Sequence, residues 1–260
     1  NDKDDRDLIW GKYHKDNSDK WIYEILNKVE FKKINSEKDL EDGDVLIIID
    51  SSIEKKIDLY SKLNLICSKM FLIHLGDETG IYELSTIYNN FHHVWRAFCS
   101  RKYFNNTKVT CFAIGYKSGV TSSNNINNKK YKWAFMGTPH KSSRHDLLFQ
   151  LNMIKPSFSY KTKKFNEKII GAKEMSEVLS SSQFAPCPNG FVHPETYRLY
   201  EALECGCIPI VENAYKYYDR LFPENPFLKI DRWKDASNMI KKFTNSEIKN
   251  KSNDCKKWWS

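Results

Sequence analysis

The sequence has no long apolar run. Its longest aliphatic stretch, Val45–Ile49, is five residues, whereas a helix crossing a bilayer needs about 20. No signal-peptide pattern opens the chain, so membrane contact is not implied. The expected location is the cytoplasm, with an N-terminal anchor outside the given residues left open. The seven cysteines, at 67, 99, 111, 187, 205, 207 and 255, are odd in number and scattered. A disulfide framework is therefore not expected, and most of them read as small buried hydrophobes of a reduced compartment. Metal-ligand spacing is also missing. Cys205-Gly206-Cys207 has no zinc pattern and no His pair to complete it. Adjacent His92 and His93 face different ways on a helix or a strand. Asp42-Gly43-Asp44 precedes a strand, at the wrong end for a ligand, and reads as a turn. There is no internal repeat and no motif with base-reading spacing. The expectations are no metal, no cofactor, no nucleic-acid partner and a monomer.

What is present is a basic surplus. Lys and Arg total 41 against 33 Asp and Glu, a formal charge of +8. Residues 155–173 hold six basic residues and one Glu, and residues 229–257 hold nine basic and four acidic. Such runs read first as solvated surface, and second as attraction for an anionic ligand such as a nucleotide diphosphate. Aromatic residues make up 14% of the chain, so most must be core. Trp10, Tyr13, Trp21 and Tyr82 form a possible sugar platform.

Apolar periodicity alternates between strand and helix. Ser18–Val29 reads as a helix, Asp44–Asp50 as a buried strand, Ser52–Leu63 as an amphipathic helix and Lys69–His74 as a second strand. Phe91–Phe98 fits a strand or a short helix, and Val109–Ala113 a third strand. Lys117–Lys130 is polar and aperiodic, a linker or crossover. Lys132–Phe135 reads as a strand, and Ser143–Asn152 as a helix capped by Ser142 or Ser143. Glu174–Ser181 (helix), Phe184–Cys187 (strand), Glu195–Cys205 (helix), Ile208–Val211 (strand) and Asp235–Phe243 (helix) follow. This alternation implies an α/β fold of two Rossmann-like domains. Residues 1–125 form the first, residues 126–240 the second, and 241–260 a tail packing back on the first. A ligand would lie in a cleft between them, beyond the carboxyl ends of the strands.

The most informative stretch runs from Cys187 to Val211. Pro188, Asn189, Gly190 and Pro194 shape a tight loop that opens a helix, and Gly206 stops that helix before an Ile-Pro-Ile strand. A helix N-terminus reached through such a loop suits phosphate. Thr196 offers a hydroxyl there. Arg198 and Glu201, three apart, share one helix face. A cation can balance a diphosphate and a carboxylate can accept from ribose hydroxyls. Upstream, Gly137, Thr138 and Arg144 follow a strand into a helix start. A cation in the first turn opposes the helix dipole, which favours a functional role for Arg144.

Pro188–Val211 resembles the signature of exostosin-type glycosyltransferases, with Thr196, Arg198, Glu201-Ala202-Leu203 and Gly206-Cys207-Ile208-Pro209-Ile210 in register. His74-Leu75-Gly76-Asp77-Glu78, His93-Val94-Trp95-Arg96 and Phe135-Met136-Gly137 are similar to segments of the smaller exostosin-like xylosyltransferases, including those of large algal viruses. The resemblance implies a GT-B fold and an inverting, metal-independent transfer from a UDP-sugar, best UDP-xylose, to a glycan acceptor hydroxyl. It implies Glu201 at the donor ribose, Arg198 at the diphosphate and Thr196 at the helix start. Gly137, Thr138, Arg144, Asn189, Gly190, His193 and Glu195 complete the expected donor set. His193 stands where many relatives carry an acid eight residues before the ribose-binding Glu. The alternatives are a retaining enzyme on the same helix, or a nucleotide- or glycan-binding module without turnover.

Inversion needs a base to take a proton from the acceptor hydroxyl. Asp77 and Glu78 follow a buried strand at its carboxyl end, between Gly76 and Gly80. Asp77 is preferred, although spacing cannot separate the two. The competing reading is a loop Asp bonded within its turn. His74 lies beside them. Arg96 would steady the acceptor or the diphosphate, or pair with Asp77 as structure.

Overall fold

The computed structural model describes residues 26, 28, 30–34, 36–116, 119–122, 129–163 and 170–260. It comprises two units, Asn1–Ile114 and Gly115–Ser260. The helix expected over Ser18–Val29, and Trp10, Tyr13 and Trp21 of the possible sugar platform, lie outside the described residues, apart from Leu26 and Lys28.

In the first unit β1 (Val45–Asp50), β2 (Lys69–His74), β3 (His93–Arg96) and β4 (Val109–Cys111) form one parallel sheet in that order. Parallel neighbours need crossovers between them and are covered on both faces. On one face Leu46, Ile48, Met70, Leu72 and Val94 pack with Tyr60 and Leu63 of α1 (Ile57–Ile66) and Ile87 and Tyr88 of α2 (Ser85–Tyr88). On the other, Ile47, Ile49 and Ile73 gather around Leu26. The stretch 91–98 resolves into a strand at His93–Arg96, where Val94 and Arg96 are buried while His93 and Trp95 alternate outward.

Helix α1 starts five residues later than expected because Asp50 organises the chain before it. The Asp50 carboxylate accepts from the Ser51 and Ser52 N–H groups (2.6 and 2.9 Å), Lys56 Nζ (2.7 Å) and Tyr60 Oη (2.6 Å). A buried carboxylate needs such partners. Gly76 closes the loop after β2 against that turn. A Cβ at Gly76 would stand 1.8 Å from the Ser51 carbonyl oxygen.

The second unit has a parallel sheet of β5 (Tyr131–Gly137), β6 (Ser157–Lys161), β7 (Ser182–Cys187), β8 (Ile208–Glu212) and β9 (Leu228–Ile230), in the order β6-β5-β7-β8-β9. Helices α3 (Arg144–Leu151), α4 (Ala172–Ser180), α5 (Tyr197–Glu204), α6 (Tyr217–Leu221), α7 (Trp233–Lys242) and α8 (Asn245–Trp259) accompany it. Trp133, Phe135, Phe184, Leu199, Ile210 and Trp233 are buried in its core. The edge strand β6 falls in the stretch read as solvated basic surface, since its residues Ser-Phe-Ser-Tyr-Lys are polar and half-buried to exposed. This sheet order reverses direction between β5 and β7, and ligands of such sheets bind outside the carboxyl ends of the strands at that reversal.

Three expectations need correction. The unit boundary falls after Ile114 rather than near 125. Residues 115, 116 and 119–122 join the second unit: Tyr116 meets Trp259 edge-on (6.1 Å), Val120 is buried, and the Thr121 N–H donates to Ser176 Oγ (3.1 Å). The tail also groups with the second unit, where the first was expected. It is helix α8, begun by a reciprocal capping box between Thr244 and Glu247. Trp258 packs on Phe222 and Phe227 (5.3 and 5.1 Å), and Trp259 Nε1 donates to Glu204 (3.0 Å). Finally, Cys99 and Cys111 are joined in a disulfide, with Cα atoms 5.5 Å apart. The register that sets Arg96 beside Cys111 brings Cys99, three residues on, within reach. The other five cysteines are buried and outside any disulfide. Among the described residues no helix is long and apolar enough to cross a membrane.

Candidate functional site

The reversal between β5 and β7 places two loops side by side, one after Gly137 and one after Cys187. Two helices of eight residues start from them, α3 and α5. Ser143 and Thr196 hold the N-cap positions, yet neither side chain bonds to its helix. Both helix starts therefore keep donor groups and the positive end of the dipole open. This differs from the expected capping by Ser143, whose hydroxyl turns to Glu212 Oε2 (2.6 Å).

Two guanidinium groups meet here. Arg144 is buried and donates through Nη1 to the Thr138 carbonyl (3.1 Å). Arg198 donates through Nη2 to the Met136 carbonyl (2.9 Å) and lies over the Phe135 ring, 4.7 Å from its centre. Gly137 is what lets Arg198 in. Its φ of +146° is glycine territory, and a Cβ there would stand 2.7 Å from Arg198 Nη2. Burial, helped by the nearby Arg198 charge, pulls the Arg144 guanidinium down to about 10. Burial also lowers Arg198, against the Cys187 thiol and the Glu201 carboxylate, which act to raise it. A buried Arg144 pressed down by the charge of a half-buried Arg198 is costly unless an anion joins them.

Four of the unsatisfied buried groups belong to this part of the second unit. Arg144 Nε, Arg198 Nη1, Asn189 Oδ1 and Thr196 Oγ1 are buried without a hydrogen-bond partner among the described residues. Buried polar atoms left this way ask for a missing partner. All four residues lie on the segments that follow β5 and β7.

The residues expected on the donor side divide. Gly137, Thr138, Arg144, Asn189, Thr196 and Arg198 come together. Thr138 Oγ1 bonds to Thr162 Oγ1 (2.7 Å) and so fixes its own carbonyl toward Arg144. Glu201 is buried on the next turn of α5, close enough to oppose the Arg198 shift. The Gly190 N–H donates to the His193 carbonyl (2.8 Å), closing the loop on itself. His193 and Glu195 are buried and face an aromatic cluster. His193 Nδ1 accepts from the Glu195 N–H (3.2 Å) and its ring meets Tyr217 edge-on (4.9 Å). The two Glu195 oxygens accept from Tyr200 Oη and Tyr217 Oη (2.8 Å for the latter). Burial first, and the Glu195 charge second, hold both tyrosines well above the ordinary phenol range. Helix α5 starts two residues later than expected because Glu195 serves as this buried anchor.

In the first unit, His74, Asp77 and Arg96 form one network with Tyr88. Arg96 is fully buried and donates through Nη2 to Asp77 Oδ2 (2.8 Å) and to the Asp77 carbonyl (3.2 Å). Through Nη1 it reaches Tyr88 Oη (2.6 Å) and His74 Nδ1 (2.9 Å), and its guanidinium lies 4.9 Å from the Tyr103 ring centre. An Nδ1 that accepts from Arg96 puts the proton of the neutral imidazole on Nε2. Burial, then the Arg96 charge, press His74 down to about 3, against a contact with the Ser51 backbone. Asp77 has φ +58°, a left-handed conformation unusual for a non-glycine residue, and the two bonds from Arg96 hold it there. Glu78, the next residue, is exposed.

Glu212 is the residue that sequence reasoning missed. It ends β8 beside the reversal and accepts from Ser143 Oγ and from the Asn189 N–H (3.1 Å). The rule that picked Asp77, an acid at the carboxyl end of a buried strand, would also have found it. Among the described residues, no group of three His, Cys, Asp or Glu side chains is arranged to hold a metal ion.

Residues 116–260 match the family model described as the RXYLT1 C-terminal domain. No curated protein sequence matches the chain. Among solved structures, the chain is similar to the N-terminal domain of trehalose-6-phosphate phosphatase from Candida albicans. That match has 10% identity and a TM-score of 0.55, covering 97% of this chain and 74% of the other. It is also similar to an alpha1,3-fucosyltransferase at 13% identity and a TM-score of 0.46, over 88% of this chain and 85% of the other. At these identities a likeness extends to the fold alone, and the second is too loose to bear even on that.

Proposed function

We propose a function from one premise: the chain belongs to the family of the RXYLT1 C-terminal domain and is a glycosyltransferase of the GT-B class. The reaction proposed is an inverting transfer of xylose from UDP-xylose to a hydroxyl of a glycan acceptor, without a metal ion. The choice of sugar is supported by this family and by the resemblance to the small exostosin-like xylosyltransferases. The carrying observation is the set of unsatisfied buried groups, Arg144 Nε, Arg198 Nη1, Asn189 Oδ1 and Thr196 Oγ1, beside two uncapped helix starts.

In this reading Arg144 and Arg198 hold the diphosphate. As the glycosidic bond breaks, UDP leaves with added negative charge, and fixed donors aimed at that charge stabilise the transition state more than the ground state. Two cations and two helix dipoles take the place of a metal ion. Glu201 receives the ribose hydroxyls. The acceptor hydroxyl oxygen forms the new bond to the sugar carbon and gives its proton to a carboxylate of the Gly76–Gly80 loop. Glu78 is the better base of the pair, because the Asp77 side chain is buried in its ion pair with Arg96 whereas Glu78 is exposed. Arg96, Tyr88 and His74 then act on the loop's conformation.

A thermal-shift screen of UDP-, GDP- and CMP-sugars tests the donor. A ligand that binds only the native state raises the melting temperature, by an amount equivalent to about 2.7 kcal/mol at a hundredfold excess over Kd. No shift with any UDP compound would sink the reading. NMR of the product then separates inversion, a β bond from the α-linked donor, from retention.

A further inference from the structure

From the geometry of the β8 terminus we infer that Glu212 reads a hydroxyl group of the donor, an inference that rests on the donor reading above. Glu212 is half-buried at the carboxyl end of its strand. One of its oxygens, Oε2, accepts from Ser143 Oγ (2.6 Å) and from the Asn189 N–H (3.1 Å). Ser143 is itself held by Trp233 Nε1 (3.0 Å). Its hydroxyl is thereby diverted from capping α3 and keeps the carboxylate in one orientation. The other oxygen, Oε1, has no protein partner among the described residues.

Anchoring two loops does not require a charge, since an amide oxygen would accept the same two bonds. A carboxylate in the neighbourhood of Arg144 and the uncapped start of α3 weakens the attraction for phosphate. Where the ligand brings a group that donates, that cost is offset by a bond to Oε1. Phosphate oxygens of a nucleotide sugar do not donate at neutral pH, but its alcohol groups do. A hydroxyl–carboxylate bond is charge-assisted and stronger than a neutral one. The two sources of such hydroxyls are the ribose and the transferred sugar, and their chemistry at Oε1 is the same.

The test is calorimetric binding of three ligands to wild type and to Glu212→Gln. The ligands are the dideoxy analogue of UDP, which lacks both ribose hydroxyls, then UDP, then UDP-xylose. The variant keeps the acceptor oxygen for Ser143 and Asn189. It should bind the dideoxy analogue within about twofold of wild type and lose about tenfold for the ligand that carries the recognised hydroxyl. A loss that begins at UDP identifies the ribose, and one confined to UDP-xylose identifies the sugar. Glu212→Asp, which keeps the charge but withdraws it by one methylene, should follow the same order. An equal loss for all three ligands would make Glu212 a loop anchor only and overturn the inference, as would no loss for any. Either result leaves the donor reading intact. Wild type binding none of the three would overturn both.

Discussion

Acid should loosen the first unit through His74, and the size of the effect can be worked out. The ring is buried and neutral, pressed to about 3 in the folded chain from an ordinary 6.5. Between those two values the unfolded chain holds a proton that the folded chain refuses, so stability rises with pH across the window. The contribution is fully present above the unfolded value and is lost as pH falls toward the folded one. From pH 7 to pH 5 the loss is about 2 kcal/mol, from 1.5 units at 1.36 kcal/mol each. The group cannot relieve itself by accepting a proton, because Arg96 Nη1 already faces Nδ1. The assay is urea unfolding at pH 7 and pH 5, read by hydrogen-exchange labelling of residues 69–97 so that the first unit is followed by itself. His74→Gln is compared with wild type. The variant loses some stability at both pH values through its altered bonds to Arg96 and Tyr88. The gap between the two proteins should shrink by about 2 kcal/mol on going to pH 5, since only wild type carries the His74 linkage. Parallel losses in the two proteins would refute the buried neutral imidazole and the network built on it.

Four further outcomes follow from the sites described. Gly137→Ala should lower UDP affinity by about tenfold or more, since the new Cβ meets Arg198 Nη2 at 2.7 Å and a charge-assisted contact is lost; calorimetry showing unchanged affinity would count against the Arg198 placement. Glu78→Gln should cut turnover by about 100-fold or more while donor binding and melting temperature hold. Asp77→Asn should instead destabilise by about 3 kcal/mol, because it breaks a buried pair with Arg96; the reverse pattern would return Asp77 to the role of base. Turnover should survive EDTA, and full inhibition reversed by a divalent cation would overturn the metal-free reading.

Much of this was legible in the sequence where local pattern and fold agree. Val45–Asp50, Lys69–His74 and Ile208–Glu212 are apolar runs bounded by turn residues, and each is a buried parallel strand. Thr196, Arg198 and Glu201 stand out because a loop, a helix start and a stop occur together. What was hidden depends on distant partners. Glu195 looks like an ordinary first-turn acid until Tyr200 and Tyr217 are seen to fill both its oxygens. Ser143 looks like a cap until Glu212, 69 residues away, takes its hydroxyl. The Cys99–Cys111 bond depends on the register of β3 and β4, which no spacing rule supplies. Strand β6 carries too little apolar pattern for its place at the edge to be read.

The cysteine inventory makes this protein a quiet background for site-directed probes. One pair is bonded and the five remaining thiols are buried, four of them, at 187, 205, 207 and 255, pushed by burial well above the ordinary thiol range. Thiol reagents attack the thiolate, so the native chain should stay unlabelled under conditions that modify an exposed cysteine in minutes. Cysteines placed singly at exposed Asn64 on α1 and exposed Lys234 on α7 could then carry a donor and an acceptor fluorophore, one on each unit. Energy transfer between them would follow the distance between the two units through a catalytic cycle without first stripping the chain of its own sulfur.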